Sequence, residues 1–293
     1  MDIPFEGVVA ALMTPMDRDG VILASELRDE AAFLTESGVD GLCIGGPLGE
    51  LSGASTAEVE AVCSAARSES DLPIAVNLFV DLTAEAIDSA RAAEASGAAA
   101  VLISQPHYLF QPGESGLIRQ FSDIRNVVGI PLLLSNTVPS ALVPASTVRK
   151  LYERSLIDGV YQGTDPHALA DVLCATPRMP VFAGIEDLLY VGLALGARGI
   201  ISTLAAIFPH ECLAMRFAVA EDDHETARLI HARLLKVWRK LDHPSESFAR
   251  SKHALSVRGR PVGFARHPYQ YLSPESATDV EQGIAEFTEA ASS

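Results

Sequence analysis

Ser96-Gly97-Ala98-Ala99-Ala100-Val101-Leu102-Ile103-Ser104 decides how the rest of the chain is read. Residues 83–96 run up to it with helical periodicity, and a short, wholly apolar run follows the glycine. A glycine at that junction takes the left-handed turn that ends a helix, and a strand starts at once. The same punctuation recurs at Ser37-Gly38-Val39-Asp40-Gly41 and at Leu195-Gly196-Ala197-Arg198-Gly199.

Working outward from these junctions, strands are predicted over 7–13, 41–44, 73–79, 98–104, 130–136, 159–164, 181–184 and 199–203. Helices are predicted between them, for example over 25–37, 56–68, 83–96 and 146–154. Ser55-Thr56-Ala57-Glu58 has capping-box spacing, which satisfies the exposed amides at a helix start. Strands that read as continuous apolar runs are buried on both faces, as in a parallel sheet. Eight of them alternating with helices predict a (β/α)8 TIM barrel, with its site at the carboxyl ends of the strands. A doubly wound open sheet is the alternative, and it would call for an antiparallel edge or a second domain.

Beyond Pro209 the pattern is helical only, over 210–220, 224–240, 246–257 and 276–290. The first of these closes the barrel and the others form an appendage, giving a barrel over 1–222 and a C-terminal helical region over 223–293. Asp242-His243-Pro244-Ser245 marks a loop within the appendage, because proline biases its predecessor away from helix. Glu221-Asp222-Asp223 precedes the helix starting near His224 and complements its dipole.

The 293 residues are 48% hydrophobic, enough for one large core. Thirty-eight acidic against 22 basic residues give a net charge of −16, which repels nucleic acid and anionic membrane surfaces. No stretch reaches the ~18 apolar residues of a membrane span, and Met1-Asp2-Ile3-Pro4-Phe5-Glu6 lacks a basic leader region. The expectation is a cytoplasmic protein. Cys43, Cys63, Cys174 and Cys212 form no CxxC pair and read as reduced, mostly buried thiols, with Cys43 an inert core thiol. The histidines of the terminal helices read as surface residues.

Three segments together resemble the dihydrodipicolinate synthase/N-acetylneuraminate lyase family of pyruvate-dependent barrels. They are Gly46-Pro47-Leu48-Gly49-Glu50, against that family's Gly-Thr-Thr-Gly-Glu, then Gly196-Ala197-Arg198-Gly199-Ile200-Ile201-Ser202-Thr203, and Gly259-Arg260-Pro261-Val262-Gly263-Phe264-Ala265-Arg266-His267-Pro268. Met13-Thr14-Pro15-Met16-Asp17 and Gln105-Pro106-His107-Tyr108 also fit. The resemblance spans essentially the whole chain. It implies class I aldolase chemistry, in which a strand-six lysine forms an iminium with pyruvate. It also implies a proton relay through a strand-five tyrosine, a threonine, and a second tyrosine from the neighbouring subunit.

Position by position, the resemblance places Tyr161 where the lysine is expected, and a phenol cannot condense with a ketone. The four lysines, Lys150, Lys236, Lys240 and Lys252, fall in helices rather than at strand ends. Ser135 stands at the strand-five tyrosine, and Pro47 and Leu48 replace the two threonines. Pro47 also lacks an amide hydrogen. The arginine expected after strand five has no counterpart in Thr137-Val138-Pro139-Ser140-Ala141. Tyr108 matches the tyrosine that crosses the subunit interface, which implies a homodimer or a homotetramer built as a dimer of dimers.

The expected catalytic residues are therefore Tyr161, Tyr108 and Ser135, in a small-molecule pocket lined by Pro47, Leu48, Gln162, Gly184 and Ile201. The alternative for Tyr161 is an aromatic plug in the old pocket, needing one hydrogen bond. Glu50 is expected to hold its turn. His107, His167, Asp165 and Glu186 show no metal-binding spacing such as HxH, so no metal and no cofactor are expected. Two functions follow: a diverged lyase, hydratase or cyclase acting on a small carbonyl or carboxylic compound without a Schiff base, or a non-catalytic binder or partner subunit on the same scaffold. An open pocket with convergent hydroxyls separates the first from the second.

Overall fold

Every predicted strand is present, and each lies beside the next in one closed parallel barrel. The computed structural model describes residues 1–289. In chain order the strands are β1 (Gly7–Ala11), β2 (Gly41–Ile44), β3 (Ile74–Leu78), β4 (Ala100–Ser104), β5 (Leu132–Asn136), β6 (Gly159–Gln162), β7 (Val181–Ala183) and β8 (Gly199–Ser202). β8 pairs back onto β1, so no sheet edge is left, and the doubly wound alternative falls away. Most strands are one or two residues shorter than predicted: β1, β6, β7 and β8 at the carboxyl end, β4 and β5 at the amino end, and β3 at both.

The outer ring is α1 (Ala24–Glu36), α2 (Thr56–Ser68), α3 (Thr83–Ala95), α4 (Glu114–Arg125), α5 (Ala145–Glu153), α6 (Pro166–Ala175), α7 (Leu189–Ala194) and α8 (Thr203–Ile207). Then come α9 (Pro209–Ala220), α10 (His224–Leu241), α11 (Ser247–Val257) and α12 (Pro274–Glu289). Ala290, the last residue of the predicted terminal helix, lies outside the described residues, as does the end of the 223–293 region. Ser55 and Glu58 form the capping box at α2, and Asp223 caps α10 by accepting from the Thr226 amide. Among the described residues no helix is long and apolar enough to cross a membrane.

Strand alternation sorts the apolar residues into two cores. Val8, Leu42, Ile74, Val101, Leu132 and Val160 point outward into the layer under the helices. Val9, Cys43, Ala75, Leu102, Leu133, Tyr161, Phe182 and Ile201 point into the barrel. Phe5 closes its amino-terminal end, with its ring centroid 5.2 Å from that of Phe182. The closure leaves the carboxyl end of the strands as the open face, where the chain turns out toward α2, α6 and α8. Across β4, β5 and β6 the register sets Ser104 beside Ser135 and Ser135 beside Tyr161, a row of three inward side chains at that open end.

Candidate active site

Parity places Tyr161 inside the barrel and its neighbour Gln162 outside. Tyr161 is 2% exposed. Its ring lies against β7: a Cβ at Gly184 would come within 2.7 Å of the Tyr161 Cζ and hydroxyl oxygen. Only a glycine leaves room for the phenol there. On the other side the ring approaches Gly163, which also packs under the Thr137 methyl. The Tyr161 hydroxyl has no hydrogen-bond partner among the described residues, and it faces a cavity of about 230 Å³.

That chamber is walled by Pro47 and Leu48 from the turn after β2, by Gly184, Ile185, Glu186 and Asp187 after β7, by Thr203, and by Trp238, Asp242 and Ser247 from the appendage. Glu186 is its chemically distinctive group. Its two oxygens accept from uncharged donors, Ser202 Oγ at 2.6 Å and the Thr203 amide at 2.7 Å. Burial lifts its carboxyl to about 7 against the pull of those hydrogen bonds, and Asp187 next door adds to the rise. Burial also pushes the Tyr161 phenol well above its ordinary value, with Cys43 and Glu186 adding to it. At neutral pH the chamber thus holds an un-ionised phenol beside a carboxyl poised between its two forms.

A second cavity of about 600 Å³ opens on the other side of Pro47. It is lined by Glu50, Ser52, His107, Thr137, Arg266 and Tyr269, among others. Ser135 Oγ lies 3.2 Å from Thr137 Oγ1, so a pair of hydroxyls runs from the barrel interior to this cavity. Beneath them Asn77 and Ser104 are fully buried and inward-facing, and their side-chain polar atoms have no partner among the described residues. Glu50 holds its turn. It has a left-handed φ of 55°, accepts from the Arg266 amide at 2.6 Å, and meets Lys252 Nζ at 2.7 Å.

Several positions differ from their sequence reading. Gln162 does not face the mouth; its amide oxygen accepts from Asn136 at 2.8 Å in the layer between sheet and helices. Ile201 is fully buried in the barrel core below the chamber rather than on its wall. Tyr108 is 79% exposed beside the equally exposed Leu109 and Phe110, so within one chain it does not meet Tyr161 or Ser135. Lys252, read as one more lysine of a terminal helix, is 1% exposed and wedged under the mouth. His231, read as a surface residue, is buried and donates from Nε2 to the Glu186 carbonyl oxygen at 3.1 Å. Glu186 does not join a metal site with the other three candidates. Instead it, His107, Asp165 and His167 stand apart, Asp165 capping α6 and His107 lying against Asp81. Among the described residues no group of three such side chains is placed to hold a metal ion.

Comparison with known proteins agrees with this architecture. A profile describing the Dihydrodipicolinate synthetase family matches residues 4–287. The 4-hydroxy-tetrahydrodipicolinate synthase of Methanosarcina mazei is 31% identical over 275 residues, covering 92% of this chain and 94% of its own. A crystal structure of a dihydrodipicolinate synthase superposes with a TM-score of 0.87 at 28% identity, covering 97% of this chain and 99% of that one. A prophage protein of the same family from E. coli K12, solved in complex with pyruvate, superposes with a TM-score of 0.90 over 97% of this chain and 99% of its own. At 24% identity, that last likeness speaks for the fold alone.

Proposed function

The chain belongs to the dihydrodipicolinate synthetase family, and from that premise we propose that it is a diverged, lyase-type enzyme acting on a small carbonyl compound without a Schiff base. In this reading Tyr161 occupies the place of the reactive lysine. The observation that carries it is the Tyr161 hydroxyl, almost fully buried, unpartnered among the described residues, and facing a chamber that also holds the raised Glu186 carboxyl. An open chamber with a convergent hydroxyl and carboxyl supports an enzyme over a filled, non-catalytic scaffold.

The chemistry follows from the two protonation states. The un-ionised phenol donates a hydrogen bond to a substrate carbonyl oxygen and stabilises the charge that develops there. Glu186, near its midpoint at neutral pH, takes a proton from the adjacent carbon or from a β-hydroxyl and returns it later in the cycle. An enolate held by one phenol is a weaker electron sink than an iminium. That suits elimination, hydration or cyclisation better than condensation with pyruvate. Ser135 and Thr137 supply a hydroxyl path on the opposite side of Tyr161. Pro47 and Leu48 replace carboxylate-binding donors with an apolar wall, which favours a substrate less anionic than a bare keto acid.

We further propose a homodimer or dimer of dimers in which the Tyr108-Leu109-Phe110 tip is covered by a second subunit; the exposure of three consecutive large apolar side chains supports this. A cytoplasmic setting accords with the four free cysteines.

The test is borohydride reduction in the presence of pyruvate, read by intact mass. The expected outcome is an unchanged mass. Lys252, the lysine nearest the mouth, is tied to Glu50 and donates to the Phe264 carbonyl at 2.6 Å. A stable adduct mapped to Lys252, or to any other lysine, would overturn the reading.

A further inference from the structure

We infer that the Tyr161 chamber takes a small organic cation, a ligand bearing a primary ammonium group. The inference rests on the reading of this chamber as a small-molecule site and adds the charge class of its occupant. Among the described residues the charged side chains lining the chamber are carboxylates, namely Glu186, Asp187 and Asp242, with no basic residue among them. Arg239 pairs with Asp187 and cancels one of them. Asp242 has no ion pair among the described residues, although Arg239 is within its field, and Glu186 accepts only from the Ser202 hydroxyl and the Thr203 and Leu204 amides. Net negative charge therefore remains on the chamber wall.

Two independent features aim at an ammonium group. The Tyr161 hydroxyl oxygen, nearly fully buried and unpartnered, is free to accept an N–H. The indole of Trp238, 9% exposed, forms part of the same wall, and an indole face attracts cations. The carboxyl end of α10, an 18-residue helix, lies at the rim by Asp242 and adds the negative end of its dipole. A carboxylate entering here would meet like charge without a counterion. The cavity on the far side of Pro47 differs: Arg266 and His107 line it already paired with Glu58 and Asp81, and its carboxylate, Glu50, is paired with Lys252. The turn after β2 thus separates a chamber lined by carboxylates from one whose charged groups are paired with opposite charges.

Trp238 is the single tryptophan of the chain, so its fluorescence reports occupancy directly. The probes are the near-isosteric 3-aminopropanol, 1,3-propanediol and 3-hydroxypropionate, titrated at constant ionic strength and pH 8 into the full chain. The expected result is a saturable change in emission with 3-aminopropanol, at an affinity at least tenfold above that of the diol, and no response to the acid. Asp242→Asn, at an exposed position that does not threaten folding, should weaken the amine several-fold and leave the diol unchanged. Equal or tighter binding of the diol or the acid would overturn the inference while leaving the chamber a ligand site. A silent Trp238 with all three probes would overturn both the inference and the reading beneath it.

Discussion

Two buried glutamates flank the barrel mouth, and they have been put to opposite uses. Glu50 meets a buried ammonium, Lys252, and a backbone amide, so its charge is met on the spot and it fixes the turn between the two cavities. Glu186 sits at the same end of the barrel with no ion pair among the described residues, held by the Ser202 hydroxyl and the Thr203 and Leu204 amides. Neutral donors satisfy its oxygens without settling its charge, which is why burial raises its carboxyl to about 7. Glu50 is locked in an ion pair with an ammonium while Glu186 has only dipoles around it, but a cation alone does not decide the proton: Glu30, paired with Arg260, is also raised to about 7 by burial.

The strongest way to break this comparison is to remove the ammonium. Lys252→Met keeps the stem volume and leaves Glu50 buried and unpaired, with an expected stability loss of about 3–5 kcal/mol in chemical denaturation. Adding Glu50→Gln should restore much of it. Glu186→Gln, by contrast, should fold normally and lose activity. A Lys252→Met protein within about 1 kcal/mol of wild type would show that the pair is not what separates the two glutamates.

A smaller effect sharpens the other half. The folded-state carboxyl of Glu186 lies above its unfolded value, so the folded protein holds the extra proton as pH rises from about 4.5 to about 7. Its contribution is therefore favourable at low pH and is lost through that window, by about 3 kcal/mol in all. The groups facing Glu186 are Tyr161 from β6, Cys212 from α9, His231 from α10 and Asp187 beside it. Of these, His231 is held below its ordinary value by burial and works in the opposite sense, gaining stability as pH rises. Glu30, raised to about 7 by its own burial, follows Glu186. The difference between Glu186→Gln and wild type cancels both, and it should grow in favour of the variant between pH 4.5 and 7. A flat difference would mean that Glu186 is already ionised throughout.

The barrel was legible because its signals are local. Glycines close helices just before strands, and a strand buried on both faces has to be apolar along its whole length. Gln162 was misread although the signal was present: strand parity forbids Tyr161 and Gln162 from facing the same pocket. His231 was misread likewise, for Ala227, His231, Leu234, Trp238 and Leu241 form one buried stripe on α10. The Glu50–Lys252 pair had no such signal, because its members are distant in sequence and meet only when α11 docks under the mouth. The carboxyl of Glu186 is tuned by burial, by Ser202 and by the Thr203 and Leu204 amides after β8, a convergence on β7 that belongs to tertiary packing. Tyr108 lies further from reach still: it is 79% exposed, so contacts within one chain say little about its role.

The smallest expected change in stability, and the most telling in function, comes from Tyr161→Phe. A buried hydroxyl with no partner contributes nothing to folding that its removal could forfeit, so stability should stay within about 1 kcal/mol of wild type. Under the proposed function that hydroxyl is the group offered to a ligand, so function should respond differently. In a thermal-shift screen of keto acids, sugar acids, aldehydes and neutral carbonyl compounds, an occupant present at about 100 times its Kd stabilises by about 2.7 kcal/mol. That shift should appear for wild type and shrink sharply for Tyr161→Phe, and turnover of the same compound should fall by about 10²-fold or more. If the two proteins melt alike alone and also with every compound, the phenol is packing and nothing else. The chain would then stand as a binding or partner scaffold, and Glu186 would be a buried acid without a substrate.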